Sequence, residues 1–251
     1  MSGHNKWSKI KNKKGASDAQ RGQLFTKLTR EIMLAVRQGG TDPNSNRRLE
    51  LALQKAKAGS MPWDNINRSI QKGAGTAEGQ ILEEMNLEGY GPNGVAILVQ
   101  AVSDNRNRTV QEVRSTFTRH GGNLAGSGSV AWLFESRGVI TVESKDVDPD
   151  TVALEAIEAG AEDVETADGI VEINTKPELV EKVRTALIKK KIPVSSAEIS
   201  MIPKNHVDLD EKSALQTMKL MEKLEELDDV QHVFTNTDFS DEAIEKYAAA
   251  A

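Results

Sequence analysis

Residues 138–202 are GVITVESKDVDPDTVALEAIEAGAEDVETADGIVEINTKPELVEKVRTALIKKKIPVSSAEISMI. The apolar residues of this stretch switch between the alternation that marks strands and the longer period that marks helices. The order that they predict is a strand (138–143), a helix (151–159), two strands (162–166 and 170–174), a helix (177–190) and a strand (194–202). Because βαββαβ is the split-βαβ plan, the stretch predicts a ferredoxin-like domain.

The flanking sequence predicts a second α+β layer. Before the stretch, the pattern indicates strands at 81–90 and 94–102 around the turn GYGPNG, a helix at 107–120, and a third strand at SVAWLF (129–134). After it come a helix at 210–227 and a strand, VQHVFTNT (230–237). Three strands and one helix make an unfinished layer, so we expect the last helix and strand to complete it around the inserted domain.

The front of the chain predicts three short amphipathic helices. The first lies between Ser17 and Gly39, and its apolar residues recur at helical spacing: Leu24, Phe25, Leu28, Ile32, Ala35 and Val36. The second and third helices end before Gly59 and Gly73. Short helices of this kind can bury their apolar stripes only against one another, so residues 17–73 should form a helical module.

The expected fold class is therefore α+β and multidomain. An N-terminal three-helix module is followed by two α+β domains, the second ferredoxin-like and inserted in the first. The predicted bounds are 1–76 for a basic arm plus the helical domain, 77–135 and 206–251 for the discontinuous α+β domain, and 136–205 for the inserted domain.

The charge of the chain is divided unevenly. Residues 1–76 hold 15 Lys and Arg against 5 Asp and Glu, a balance of +10, whereas residues 77–251 hold 17 against 33, a balance of −16. The first 14 residues, MSGHNKWSKIKNKK, contain five lysines and no acid. This pattern is typical of an arm that binds phosphate, although a basic run can also be a solvated tail or can lie on the protein's own acidic surface.

Two folded segments extend the predicted basic surface. Lys27, Arg30 and Arg37 lie opposite the apolar stripe of the first helix, with Leu34 interrupting them. The segment SDNRNRT (103–109) places Arg106 and Arg108 at a predicted helix start, where backbone N–H groups also attract anions. Its Asp and Asn residues are equally well explained as helix caps, so a structural role and anion binding are both open there.

Other classes of site are not favoured. The chain has no Cys, its four His never fall at ligand spacing, and no apolar run is long enough for a signal peptide or membrane span. Gly89–Gly94 matches G-x-G-x-x-G, but a strand follows it, which favours a hairpin over a nucleotide site. Asp146, Asp148 and Asp150 resemble a calcium loop less than a capped helix start.

These observations predict a cytoplasmic protein that is not an enzyme. We expect no cofactor, no metal, no membrane contact and no small-molecule substrate. Nothing in the sequence places a base beside a nucleophile. Aromatic residues make up only 4% of the chain, too few for a platform that stacks several bases.

Several sequence blocks closely resemble the YebC/PmpR family, which includes the mitochondrial translational activator of cytochrome oxidase. The blocks are GHNKWSKIKNKKGASDAQRGQLFTKLTREI, GGTDPNSNRRL, MPWDNINRSIQKG, EGYGPNG, SDNRNRTVQEVRSTFTRHGGNL and GSVAWLF. The resemblance implies three domains, with the ferredoxin-like one inserted, and a non-enzymatic regulator. Gln20, Gln23 and Trp63 stand where relatives usually carry basic residues, which implies weaker phosphate binding.

The predicted partner is nucleic acid, contacted mainly through phosphates. Duplex DNA and a role in transcription are the first hypothesis; the alternative is a ribosome-associated translation factor that binds ribosomal RNA and relieves stalling. A protein partner for the acidic domains is also open. The predicted nucleic-acid-binding residues are Lys6, Trp7, Lys9, Lys11, Lys13, Lys14, Arg21, Lys27, Arg30, Arg37, Arg106 and Arg108.

Overall fold

The computed structural model of the chain describes residues 18–75, 82–145, 147–167 and 169–250. Three helices come first, as predicted: α1 (Asp18–Gly39), α2 (Arg47–Ala58) and α3 (Trp63–Gly73). Their shared core contains ten buried residues: Leu28, Ile32, Ala35, Val36, Leu49, Ala52, Leu53, Ala56, Met61 and Ile66. The predicted core member Leu24 is 42% exposed, so the apolar stripe of α1 is partly buried at Phe25 and fully buried only from Leu28 onward.

Close packing of α1 against α3 depends on a glycine. A Cβ added at Gly73 would lie 2.8 Å from the carbonyl oxygen of Met33 and 2.9 Å from Cβ of Val36. The end of α3 therefore lies directly on the backbone of α1, at a distance that only glycine allows.

The discontinuous domain has a four-stranded antiparallel sheet. Its strands are β1 (Glu83–Tyr90), β2 (Ala96–Ser103), β3 (Asn123–Leu124) and β8 (Val230–Thr235), in the order β3-β1-β2-β8. The helices of this domain are α4 (Arg106–Arg119), α7 (Glu211–Glu225) and α8 (Asp241–Ala250), and their apolar residues share one core with the sheet. The last strand thus returns to pair with β2, which confirms the predicted insertion.

The inserted domain is ferredoxin-like. Its strands are β4 (Phe134–Glu143), β5 (Asp163–Ala167), β6 (Ile170–Thr175) and β7 (Val194–Pro203), in the order β5-β6-β4-β7, and all its pairs are antiparallel. Helices α5 (Pro149–Ala159) and α6 (Val180–Lys189) connect them. Asp148 caps α5 by accepting a hydrogen bond from the Thr151 N–H, which confirms the capped helix start.

One predicted strand is wrong and two elements are new. SVAWLF does not pair as a strand: residues Ala131–Leu133 form a 3₁₀ turn, and only Phe134 belongs to a strand, β4. The physical reason is that a buried carboxylate takes the N–H groups of Val130 and Ala131, so they are not available to a sheet. The third strand of the layer is instead β3, and α8 follows the last strand. The exact domain bounds stay a prediction.

Candidate nucleic-acid interface

The basic arm lies outside the described residues. This applies to Lys6, Trp7, Lys9, Lys11, Lys13 and Lys14. Of the other predicted residues, Arg21 is exposed in the first half of α1, Arg37 is half-buried in its last turn, and Arg106 is exposed in the first turn of α4.

The basic side of α1 packs against the turn that joins α7 to β8. Lys27 Nζ donates to the carbonyl oxygen of Glu225 at 2.6 Å, and Gln23 Nε2 donates to that of Glu226 at 3.1 Å. Arg30 Nη1 donates to the carbonyl oxygen of Asp228. Since the last carbonyls of a helix lack partners within it and carry partial negative charge, cations are favoured at the end of α7.

A single buried carboxylate lies at the centre of this contact. Asp229 is 3% exposed, and its Oδ1 lies 2.8 Å from Arg30 Nη2. Its Oδ2 accepts from Arg108 Nη2 at 2.8 Å, from Ser103 Oγ at 2.8 Å and from Thr109 Oγ1 at 2.6 Å. The helical module and α4 are therefore joined through Asp229.

These donors determine the ionisation of Asp229. Burial by itself raises the pKa of the carboxyl, but the hydrogen bonds from Thr109, Arg108 and Ser103 and the charge of Arg30 outweigh it, so the pKa is below its ordinary value. Asp229 is thus held as an anion with cations on both oxygens. This arrangement resembles the way in which a guanidinium pair would hold a phosphate.

The start of α4 is both capped and charged. Asn105 accepts a hydrogen bond from the Arg108 N–H at 3.1 Å, which confirms the capping interpretation. Arg108 also pairs with Asp104 at 2.9 Å and is 43% exposed. Arg106, two residues earlier, is exposed and makes no described contact with Asp229. The helix start therefore combines a structural cap with an exposed cation.

A polar cleft of about 580 Å³ opens at this junction. It is lined by Gln23, Arg30, Asp104, Arg108, Glu112, Glu226, Leu227, Asp228 and Asp229. Residues from α1, α4 and the α7–β8 turn contribute both cations and acids. The structure thus brings together two of the predicted basic segments, but the acids around them reduce their positive potential.

A second cleft, of about 600 Å³, lies where the three domains meet. Arg48 of α2 bonds Glu31 at 3.0 Å and also pairs with Glu84 of β1. Lys55 lies 2.7 Å from Glu198 of β7. The charged side chains of this cleft form ion pairs that hold the helical module against both other domains. The cleft therefore adds no site of net positive charge.

Sequence reasoning did not identify Asp229. It is one of four acids in the run EELDD (225–229), and no local pattern distinguishes it from the other three. Only the return of β8 beside β2 brings it under α4. Among the described residues, no group of three or more His, Cys, Asp or Glu is placed to hold a metal ion. No helix in the same ranges has the length and apolarity that a membrane span requires.

Comparison with known proteins gives consistent matches along the chain. The family model described as the TACO1/YebC protein N-terminal domain matches residues 5–76, and that described as the TACO1/YebC second and third domain matches residues 82–237. A probable transcriptional regulatory protein of Dehalococcoides mccartyi strain CBDB1 is 57% identical over 251 residues and is covered completely, as is this chain.

Two further relatives are similar over most of their length. A probable transcriptional regulatory protein of Geobacter sulfurreducens is 54% identical over 98% of this chain and 99% of its own. The crystal structure of a conserved hypothetical protein from Aquifex aeolicus has a TM-score of 0.82 and 48% identity, covering 89% of this chain and 93% of that one. This chain and the Aquifex aeolicus protein therefore share one fold.

Proposed function

Since this chain belongs to the TACO1/YebC family, we propose that it is a non-enzymatic, nucleic-acid-binding regulator of gene expression. The proposed target is duplex DNA, bound through the basic arm and the adjoining faces of α1 and α4. The names of the relatives, probable transcriptional regulatory proteins, support a role in transcription.

The observation that carries the proposal is the meeting of two basic segments. Arg30 and Arg108, which are far apart in the chain, lie on opposite oxygens of one carboxylate. The arm enters α1 at Asp18, and Gln23, little more than one turn later, lines the same cleft. Cations of α1 and α4 thus meet at one cleft, and the arm precedes α1 in the chain, which supports binding to an extended polyphosphate.

Contacts with phosphate, and not with base edges, dominate this proposal. Lysines and arginines neutralise phosphates and release counterions, so the affinity must fall steeply with salt. If about 6–10 phosphates are contacted, the affinity should fall by about 10³–10⁵ between 50 and 200 mM salt. Asp229 limits the number of contacts, because it already occupies one edge of Arg30 and of Arg108.

The test is the salt dependence of duplex DNA binding for two charge variants. In the arm variant, Lys9, Lys11, Lys13 and Lys14 are changed to Glu. In the control variant, four exposed lysines of the inserted domain are changed in the same way: Lys176, Lys182, Lys189 and Lys191. We expect the arm variant to bind more weakly and its log–log salt slope to fall by about 3.6, since each lost phosphate contact removes about 0.9.

Two results would contradict the proposal in different ways. Equal binding by wild type, arm variant and control variant would exclude the arm as the docking element. Co-sedimentation with ribosomes that depends on the arm and persists at salt concentrations where duplex DNA is released would identify ribosomal RNA as the target. The control variant should match wild type in both assays if charge position, and not net charge, decides binding.

A further inference from the structure

The loop at residues 125–133, here named the Trp132 loop, is held by a buried carboxylate. Glu88 of β1 is 4% exposed, and its Oε1 accepts from the Gly128 N–H at 2.7 Å. Its Oε2 accepts from the N–H groups of Val130 at 2.6 Å and Ala131 at 2.7 Å. Three backbone donors on one carboxylate fix the path of the loop.

Glu88 stays charged in this position. Burial raises the pKa of its carboxyl, but the backbone hydrogen bonds from Gly128, Val130 and Ala131 outweigh burial, so the pKa lies below its ordinary value. A buried anion that serves one loop is costly unless fully hydrogen-bonded. These hydrogen bonds therefore tie the loop to β1.

The largest side chain that the loop exposes to solvent is that of a tryptophan. Trp132 is 64% exposed, and its Nε1–H donates to the carbonyl oxygen of Ser129 at 3.1 Å. The same carbonyl accepts from the hydroxyl of Tyr90 at 3.1 Å. The edge of the indole is thus anchored to the loop, while most of the ring surface is open to solvent.

The two chain segments that meet at Trp132 suit an anionic partner, since the acid that contacts the loop, Glu88, is buried and occupied by backbone N–H groups. Lys204 Nζ donates to the carbonyl oxygen of Trp132 at 3.0 Å, and the Lys204 N–H donates to that of Leu133 at 2.8 Å. The sequence has no Asp or Glu between Glu112 and Glu135, and none between Glu198 and Asp208. In a region with a balance of −16, both segments at this site are therefore free of acids.

We propose that Trp132 is a stacking site for one unpaired nucleobase, with Lys204 beside the neighbouring phosphate. This inference rests on the proposed function and gives it a component that recognises single strands. A flat, fixed indole with a cation beside it has the elements with which proteins hold bases without reading their sequence. A single ring also agrees with the low aromatic content, which does not support a longer platform.

The experiment measures the binding of a labelled single strand of about 16 nucleotides, as DNA and as RNA, and of the matching duplex DNA. The variants are Trp132→Ala and Trp132→Phe, with Trp63→Ala as control. Trp63 is similarly exposed, at 59%, but it lies at a helix start and is followed by Asp64. We expect Trp132→Ala to weaken single-strand binding by about 5- to 150-fold, and Trp132→Phe to keep most of the affinity.

The duplex and the salt series separate stacking from the charge of the arm. Since paired bases are not available to the ring, Trp132→Ala should leave duplex binding and the salt slope unchanged. If Trp132→Ala binds single strands as tightly as wild type while the arm variant loses affinity, the stacking site is wrong and the proposed function stands. If wild type binds no nucleic acid, both are wrong.

The role of Glu88 gives a second test. Glu88→Gln removes the charge that holds the loop but keeps the side chain's shape, so it should weaken single-strand binding in the presence of Trp132. In the Trp132→Ala background it should weaken binding no further, because the ring that it positions is absent. Independent losses from the two changes, or an equal loss from Trp63→Ala, would overturn the assignment to this loop.

Discussion

Arg30 of the helical module and Asp229 of the discontinuous domain form an ion pair of 2.8 Å in which the carboxylate is almost completely buried. The pair connects two parts of the molecule that the sequence separates by most of its length. Because Arg108 occupies the other oxygen of the same carboxylate, removing Asp229 should loosen α1 and α4 together.

Asp229→Asn should lower the stability of the folded chain. The amide cannot satisfy two guanidinium groups and two hydroxyls, so charge-assisted hydrogen bonds are lost, with an expected cost of about 2–3 kcal/mol. The measurement is the urea midpoint of unfolding. As a control, Asp228→Asn also removes one negative charge, but from the exposed side chain of the preceding residue. It should change stability by less than about 0.5 kcal/mol.

The contribution of Asp229 should also depend on pH. Its pKa is lowered in the folded chain, so the unfolded chain takes up the proton first as the pH falls. The stabilisation is therefore complete above the ordinary pKa of about 3.9 and is lost as the pH falls below it. The stability difference between wild type and Asp229→Asn should hold from neutral pH down to about 3.9 and shrink as the pH falls further. A difference independent of pH would exclude this role.

Asn46 should be more important than an ordinary helix cap. It is buried and accepts from the Leu49 N–H at 3.1 Å, while its Nδ2 donates to the carbonyls of Ala35 and Gly40, each at 2.7 Å. Asn46→Asp keeps the cap but loses both donors and sets a charge against two carbonyls, so we expect a loss of about 1–3 kcal/mol in thermal or urea unfolding.

The matched change at the cap of α4 provides the control for Asn46. The described role of the Asn105 side chain is to accept from the Arg108 N–H, which Asp does equally well. Asn105→Asp should therefore leave stability within about 0.5 kcal/mol of wild type. Similar losses at Asn46 and Asn105 would show that the two donor bonds of Asn46 contribute nothing.

Gly138→Ala should destabilise the inserted domain. A Cβ at Gly138 would lie 2.0 Å from Cγ2 of Val180 and 2.8 Å from Cγ2 of Thr175, so β4, β6 and the start of α6 would have to separate. We expect a cost of about 1–3 kcal/mol, measured by thermal unfolding. Gly126→Ala, where a Cβ meets nothing within 4 Å, should have little effect.

Arg106→Gln tests whether the start of α4 contributes to nucleic-acid binding. Loss of one phosphate contact should reduce the log–log salt slope by about 0.9 and weaken all DNA sequences to a similar extent. Arg119→Gln removes a cation that is also exposed, at the other end of α4, and should leave the slope unchanged. Equal effects of the two changes would indicate a response to net charge alone.

The sequence predicts the elements of this fold better than it predicts their junctions. Long periodic segments such as α1, α7 and the βαββαβ unit were identified because burial imposes a regular spacing on them. Strand β3 has only two residues, too few for a pattern, and α8 was missed although Ala243, Ile244 and Tyr247 follow helical spacing after Ser240. SVAWLF was mistaken for a strand because its composition suits one.

The candidate site shows the same limit. Basic residues could be found from the sequence, because a cluster of like charges is visible in one dimension. The acids that organise them could not, since Asp229 and Glu88 differ from other acids only in what the tertiary fold places around them. Which cation faces solvent and which is held within the chain is a property of the folded arrangement.

The strand order β3-β1-β2-β8 also determines when each part of the chain can fold during synthesis. Every strand of the inserted sheet has been made by residue 203, but β2 obtains its second neighbour only with residues 230–235. The inserted domain can therefore fold first, while one edge of β2 stays unpaired until β8 has been synthesised. A nascent chain halted between residues 203 and 230 would expose an unpaired edge of β2. Such an edge favours aggregation until β8 has been made.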